Sequence, residues 1–450
     1  MNTIIDRLVA HTGAIEYDKL KPGAIAAAKR ALLDALGCGI AAIGCEPAAI
    51  AGRTVPGGAQ EVTVYGEAQR CSLERGVLVN GILVRYLDMM DVYSAKDVCH
   101  PAENVPLALA CVESSGGSGR RLLEAIIAGY EGQMRLAHTL PLQQLGMHHV
   151  SAGGIVAPLV IGKAWGLAGP VIAQAAALSG CRQFAVHALA KGGLSMAKAI
   201  GYAWAGMDAV LATRLAQQGY TGPTGFIDWL GTDGPLQDGV EPDAIDSPME
   251  QWMIERVSYK QFPVQFELQT PVEIAIDMRD DIGAHAADIA RVEVRVRPIT
   301  IKRTADGAKY QPQNRETADH SLPVCVAMAL LDGKLTAAQF ESGRWSAPEV
   351  LKLAQRVAVI ADPEYDTLYP GGRPTALAVQ FADGRTIKAF QAAPLGDASR
   401  PMNDAAIERK FLANAAETLG ARRADEILQC VRGVESLAQV SDLTRLLAKP

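Results

Sequence analysis

The chain has 450 residues, with 43 Lys+Arg against 49 Asp+Glu and a formal net charge of −6. A content of 49% hydrophobic and 20% charged residues is a globular mix and excludes a wholly disordered chain. The mild acidity excludes the basic footprint of a nucleic-acid binder, yet leaves an anionic small substrate open, because a pocket's charge can oppose that of the chain.

This length predicts two or three domains and a core that needs no staples. Aromatic residues are only 5%, which with abundant Ala and Gly favours packed helices over a β-sandwich. The eight cysteines are scattered and form no CxxC. They point to reduced thiols in a cytoplasmic protein, not to a disulfide framework or an iron–sulfur cluster. Met1 to Arg7 lacks the basic-then-apolar order of a signal peptide.

Gly23 to Ile43 reads as a helix, with Ile25, Ala28, Leu32, Leu36 and Ile40 at helical spacing. Glu61 to Tyr65 is a short strand-like run, Leu73 to Leu87 is helical, and Val92 to Glu103 is a loop. Helix resumes at Val105 to Glu113. The cluster Ser114 to Gly119 is a linker, since it lacks the Lys-Ser/Thr of a phosphate loop. Arg120 to His138, Ser151 to Trp165, Val171 to Gly180 and Ala197 to Gln218 complete a helix-rich half. The most apolar stretch, Gly153 to Cys181, holds Lys163 and is broken by Pro158 and Pro170, so it reads as two buried helices and not a membrane span.

The character changes near Tyr259. Ile289 to Val296 alternates as a strand, Val357 to Ile360 and Leu377 to Phe381 are further strands, and Asp383-Gly384 turns the last into Thr386 to Phe390. From Asp404 the chain returns to helix, with Ile407, Phe411, Ala415 and Leu419 on one face. The expected organisation is a helical domain over 1–259, an α+β unit over 260–395 and a helical return over 396–450. A cleft between such units is a natural ligand site.

Four groups of residues can carry chemistry. Asp88 and Asp91, three apart, share a face if helical, and Asp97, Cys99 and His100 follow in the loop. They offer carboxylate and imidazole for proton transfer, or form a solvated helix end, with acids such as Glu103 capping the helix that Pro101 to Asn104 lead into. Metal ligation by Asp91, Asp97 and His100 is weaker, with no HExxH nearby. His148, His149 and Ser151 precede an apolar helix: Ser151 or a histidine caps it, or, since adjacent histidines diverge, one of the two faces a site. Lys191, Lys198 and Lys260 are cations, Lys260 standing at the domain junction before Phe262-Pro263. Asp319-His320-Ser321 opens the helix Leu322 to Leu331 and supplies either a capping box or a cleft imidazole. Arg303, Arg315 and Arg373 can clamp carboxylates or lie at the surface. No nucleophile elbow, Walker loop or dinucleotide fingerprint occurs. Acid–base chemistry on an anion is what remains.

The ordered segments Leu33-Asp34-Ala35-Leu36-Gly37, Asn80-Gly81, Asp88 with Asp91, His100-Pro101-Ala102-Glu103-Asn104, Gly146 to Ser151, Gly219 to Pro223, Phe262-Pro263 through Gln269-Thr270, Asp319-His320-Ser321 and Asp332-Gly333 together resemble the MmgE/PrpD family. The resemblance spans nearly the whole chain. It implies a mainly α protein, with a large all-helical domain and a smaller α+β lid, usually a homodimer. It also implies chemistry on polycarboxylates without an obligatory metal or organic cofactor. Known activities of the family are 2-methylcitrate dehydration, cis-aconitate decarboxylation and iminodisuccinate epimerisation. His100 to Asn104 and Phe262 to Thr270 look like the dehydratase patterns, although Glu267 stands where that pattern has a histidine. Gln269 stands where the decarboxylase pattern has a histidine, and Val324 lies near its tyrosine.

The resemblance thus favours a hydro-lyase over an epimerase, a decarboxylase or a non-catalytic metabolite-binding dimer, with Asp91 as base or base-orienting carboxylate and His100 and His148 as the proton-transfer pair. Asp88, His149, Lys198, Lys260, Gln269 and His320 are the expected substrate-binding residues. Neither nucleic acid nor a membrane is an expected partner.

Overall fold

The computed structural model describes residues 2–237, 239–247, 251–369 and 371–449. The protein is mainly α, with a smaller α+β unit built on one mixed sheet. The main helices of the first half are α1 (Ile4–Gly13), α2 (Pro22–Ala41), α3 (Glu46–Thr54), α4 (Leu73–Tyr86), α5 (Asn104–Ser114), α6 (Gly119–Thr139), α7 (Gly153–Trp165), α8 (Gly169–Gly180) and α9 (Ala197–Gln217). Small residues let them pack closely. A Cβ on Gly81 of α4 would lie 2.6 Å from Ala203 Cβ of α9, and one on Gly129 of α6 would lie 2.7 Å from Asn104 Cβ of α5. That is the physical use of an Ala/Gly-rich, aromatic-poor composition.

Gly153 to Cys181 forms two helices as expected, but Pro158 lies inside α7, and the break comes at Gly166 with φ +67°. Glu61 to Tyr65 is no strand: only Val62 pairs, with Cys71, as an isolated bridge. No single described helix is long and apolar enough to cross a membrane.

The sheet of the second unit has order β4-β3-β5-β6, where β3 is Ile289–Val296, β4 Val357–Ala361, β5 Thr375–Phe381 and β6 Thr386–Gln391. β3 pairs with β4 in parallel and with β5 antiparallel. A two-residue ladder, β1 (Tyr93–Ser94) with β2 (Val98–Cys99), sits in the loop after α4. The sheet's inner face, with Val292, Val294, Leu377 and Val379, shares a core with α10 (Gln269–Asp277) and α11 (Leu322–Asp332). Ser321 caps α11 by accepting from the Val324 N–H, which fixes His320 immediately before the helix.

The returning helix α12 (Asp404–Leu419) packs on α2, and its Ile407, Phe411 and Ala415 join the core of the first half. From α12, Lys410 donates to Asp34 of α2 at 2.6 Å and to the Met89 carbonyl at 2.8 Å. The loop after α4 is therefore strutted from below.

Candidate active site

A cleft of about 870 Å³, counting its open mouth, runs between the helical half and the α+β unit. Its walls carry Arg85, Lys198, Lys260 and Arg303, the carboxylate of Asp88, and five of the chain's eight histidines: His100, His148, His149, His187 and His320.

Asp88 is the hub. α4 ends at Tyr86, and Asp88 takes the left-handed position that closes the helix, with φ +51° and its N–H on the Arg85 carbonyl. Asp88 and Asp91 therefore do not share a helical face. A side chain in this conformation is strained by about 1–2 kcal/mol, and glycine would relieve it. The carboxylate gives the reason for an aspartate. It accepts from Arg85 at 2.7 Å and from Lys260 at 2.6 Å, with Lys198 at 3.3 Å and His320 Nε2 at 3.4 Å. Lys260 also donates to the Asp88 carbonyl at 2.8 Å, gripping the turn itself. Burial pushes the Asp88 carboxyl up, but Arg85, Lys198 and Lys260 outweigh it and hold it well below the usual carboxylate range. Burial pulls Lys260 down to about 8, against the pull of Asp88.

Asp319 forms the second anchor. It accepts from Lys198 at 2.8 and 3.0 Å, from Arg315 at 3.1 Å and from His320 Nδ1 at 2.5 Å. Burial lowers His320 to about 4. Ligand atoms of Asp88, Asp319 and His320 lie within 4.8 Å of one another, a spacing that suits a metal ion. The Lys198 ammonium already bridges both carboxylates, and Lys260 and Arg85 add charge beside it. This donor set is saturated by cations and does not fit a metal.

His100 keeps one ring nitrogen free. Its Nδ1 lies 2.6 Å from the Asp91 carbonyl oxygen, which can only accept, so Nδ1 carries the proton and Nε2 keeps a lone pair. Burial, with Lys260 and Arg85 close by, holds the ring well below the usual histidine value and so neutral. The Asp91 carboxylate itself is fully buried outside the cleft lining. It accepts from Tyr130 Oη at 2.5 Å and from the Ala102 N–H at 2.9 Å, and burial pushes it up to about 7. What meets His100 is the Asp91 backbone carbonyl, not its carboxylate.

His148 and His149 both line the cleft, against the expectation that only one would. Their ring centroids are 4.1 Å apart, and His148 Nδ1 and His149 Nε2 have no hydrogen-bond partner. Burial takes His148 down to about 3. Ser151 does not cap a helix but bonds the Ala185 backbone, pinning the segment that carries His187.

Gln269 is corrected. Its Oε1 accepts from the Gln261 and Phe262 N–H groups, and its Nε2 donates to the Phe262 and Val264 carbonyls. Every valence is spent on shaping that loop, and the residue is absent from the cleft lining. Arg315 and Arg373 are likewise committed, to Asp319 and Asp397, whereas Arg303 lines the cleft. Lys191 lies exposed outside the lining.

Three groups at the cleft were missed: Arg85, His187 and, just behind the wall, Glu103. Arg85 carried a signal, since it stands one turn before Asp88. His187 carried none, because it reaches the cleft through a lone bridge between Met147 and Val186.

Comparison with known proteins places this architecture. The MmgE/PrpD N-terminal domain matches residues 6–237 and the MmgE/PrpD C-terminal domain matches residues 262–435. A 2-methylcitrate dehydratase of Escherichia coli K12 is 26% identical over 88% of this chain and 87% of its own length. One from Cupriavidus necator is 27% identical over 80% of this chain and 79% of its own. A cis-aconitate decarboxylase of Mus musculus is 24% identical over 100% of this chain and 94% of its own. With both domains matched in order across the cleft they enclose, the chain belongs to the MmgE/PrpD family.

Proposed function

We propose that the protein is a lyase that removes water from, or adds it to, a small polycarboxylate by acid–base chemistry. The observation that carries this reading is the charge of the cleft. Arg85, Lys198, Lys260 and Arg303 face a single lining carboxylate, Asp88, in a chain of net charge −6. Such a wall attracts an anion that brings several carboxylates with it.

Dehydration needs a base for a weakly acidic C–H, cations for the enediolate that forms, and an acid for the departing hydroxide. His100 Nε2 supplies the base. Lys198 and Lys260 neutralise the carboxylate on which charge develops. His148 and His149, each with a ring nitrogen free of protein partners, stand beside the base as proton carriers. The similarity to proteins named 2-methylcitrate dehydratase supports water as the leaving group.

A second reading keeps the same enediolate and changes the bond that breaks. Similarity along the full chain to cis-aconitate decarboxylases of Mus musculus and Homo sapiens favours decarboxylation as that alternative. Incubation with citrate, 2-methylcitrate, cis-aconitate and iminodisuccinate in deuterated water, followed by proton NMR, separates the readings. Gain or loss of water supports the hydro-lyase. Carbon dioxide release supports the decarboxylase, and deuterium entering carbon without net conversion supports an epimerase. No change in any acid would reject all three for these substrates.

A further inference from the structure

Glu103 is a buried acid that the chemistry above leaves unused. It ends the short turn Pro101–Glu103 that follows His100, and it is 5% exposed. Both carboxyl oxygens are sealed from solvent, and neither has a hydrogen-bond partner. Leaving a buried carboxyl unbonded costs free energy and calls for an explanation. Two cleft groups approach it. Arg85 Nε stands 3.3 Å away and His149 Nε2 3.9 Å away, and both nitrogens also lack a hydrogen bond. The His149 ring then meets the His100 ring edge-on, with centroids 5.1 Å apart. Glu103, His149 and His100 form a row from behind the cleft wall to the base.

We propose that Glu103 is the proton store of the site, a positioning residue that acts through His149 to supply the proton taken by the departing hydroxide. This rests on the dehydration reading. His100 Nε2 takes the proton from carbon, and the C–H electron pair becomes the new C=C bond. The C–O bond breaks with its pair on oxygen, which takes the proton from His149 Nδ1 and leaves as water. His149 Nε2 takes the Glu103 proton as that O–H bond breaks. The proton on His100 then returns through His149 to the Glu103 carboxylate, so the cycle needs no outside donor. A contact of 3.9 Å closes by a small turn of the ring, as catalytic contacts commonly tighten once substrate is bound.

Burial keeps the store loaded. It pushes the Glu103 carboxyl up to about 8, with Arg85 and Lys260 opposing and Asp91 and Asp88 adding. Cys99 and Tyr202 are further titratable groups that feel its charge. Burial, with His148 and His100 beside it, keeps His149 itself neutral.

The test compares the full-length wild type with Glu103→Gln, Glu103→Asp and His149→Gln, using 2-methylcitrate and cis-aconitate as probes. Glu103→Gln should lower kcat about 100-fold, leave KM within about twofold because no substrate contact is lost, and abolish the decline of kcat at alkaline pH. Glu103→Asp should restore part of it. Lys260, which titrates nearby, is held protonated by a substrate carboxylate in the complex, so its titration shows in kcat/KM and not in kcat. Infrared spectra of protein with labelled glutamate should show a protonated carboxyl band at neutral pH that vanishes in Glu103→Gln and shifts in His149→Gln. A wild-type kcat in Glu103→Gln, or a slower enzyme whose pH profile keeps its shape, would overturn the proposal. So would a band that is missing in the wild type or unmoved in His149→Gln. If wild type converts neither probe, the dehydration reading fails on its own, and the infrared spectra alone decide the Glu103–His149 pair.

Discussion

Two groups of residues at the cleft treat their polar atoms in opposite ways. Around Asp88 and Asp319, Lys198, Lys260, Arg85, Arg315 and His320 pair the carboxylates with contacts of 2.5 to 3.4 Å. Beside them, His148 Nδ1, His149 Nε2 and both Glu103 oxygens have no hydrogen-bond partner, and Arg85 Nε, 3.3 Å from Glu103, joins the two groups without one. A saturated network is rigid and presents a fixed field. An unsaturated one is costly, yet it alone has the spare valence to take up or release a proton. On the proposed reading, one group holds the substrate's charge while the other moves protons.

Breaking the unpaired group should hurt turnover and spare the fold. His100→Ala is expected to lower kcat about 1000-fold, with circular dichroism and Tm near those of wild type. Turnover close to wild type would remove His100 from the chemistry. Breaking the paired group should hurt the fold as well. Lys198→Met leaves Asp319 and Asp88 short of a buried partner and should cost about 3–5 kcal/mol in urea denaturation. Adding Asp319→Asn should recover part of that loss; strictly additive losses would show that the pair is not coupled.

The comparison also predicts a pH dependence. The Glu103 carboxyl is raised from 4.5 to about 8 by burial, so between those values the folded protein binds more protons than the unfolded chain. Its contribution to stability is full below 4.5 and is lost as pH rises through 8. The stability of wild type relative to Glu103→Gln should fall over that window by up to roughly 5 kcal/mol. Equilibrium denaturation at several pH values measures it, and a flat difference would mean that the carboxyl ionises normally. The smallest effect belongs to Asp91→Asn. An asparagine keeps the acceptor for the Ala102 N–H and the backbone carbonyl that orients His100, so kcat should drop about tenfold or less. A loss as large as that of His100→Ala would restore the Asp91 carboxylate to the chemistry.

Much of this architecture is legible from periodicity, and the site much less so. The alternation at Ile289–Val296 and the Asp383-Gly384 turn are local signals, and the strands and hairpin stand where these put them. The ordered motifs likewise name the family, because they survive as short segments. Their roles do not follow from spacing. Gln269 reads as a substrate ligand until its four backbone bonds are seen. Asp88 and Asp91 read as a helical pair until the helix is seen to end at Tyr86 and to close on a left-handed Asp88. Glu103 reads as a capping acid, since nothing in the sequence indicates that both its oxygens are buried and unbonded. These properties arise from tertiary contacts between residues far apart in the chain. Ser151 shows the same limit, because its partner Ala185 lies 34 residues away.

The strut from Lys410 to the Met89 carbonyl spans 321 positions of sequence, which ties the site to the order in which the protein is made. As the chain leaves the ribosome, α4 and the loop after it emerge early and can pack with their helical neighbours. The turn bearing Asp88 then waits for Lys260 until the domain junction is made, and for Lys410 until the whole α+β unit has been synthesised. The nascent helical half thus carries four of the cleft histidines long before the charge network around them is complete, and α12, made late, closes the strut beneath it.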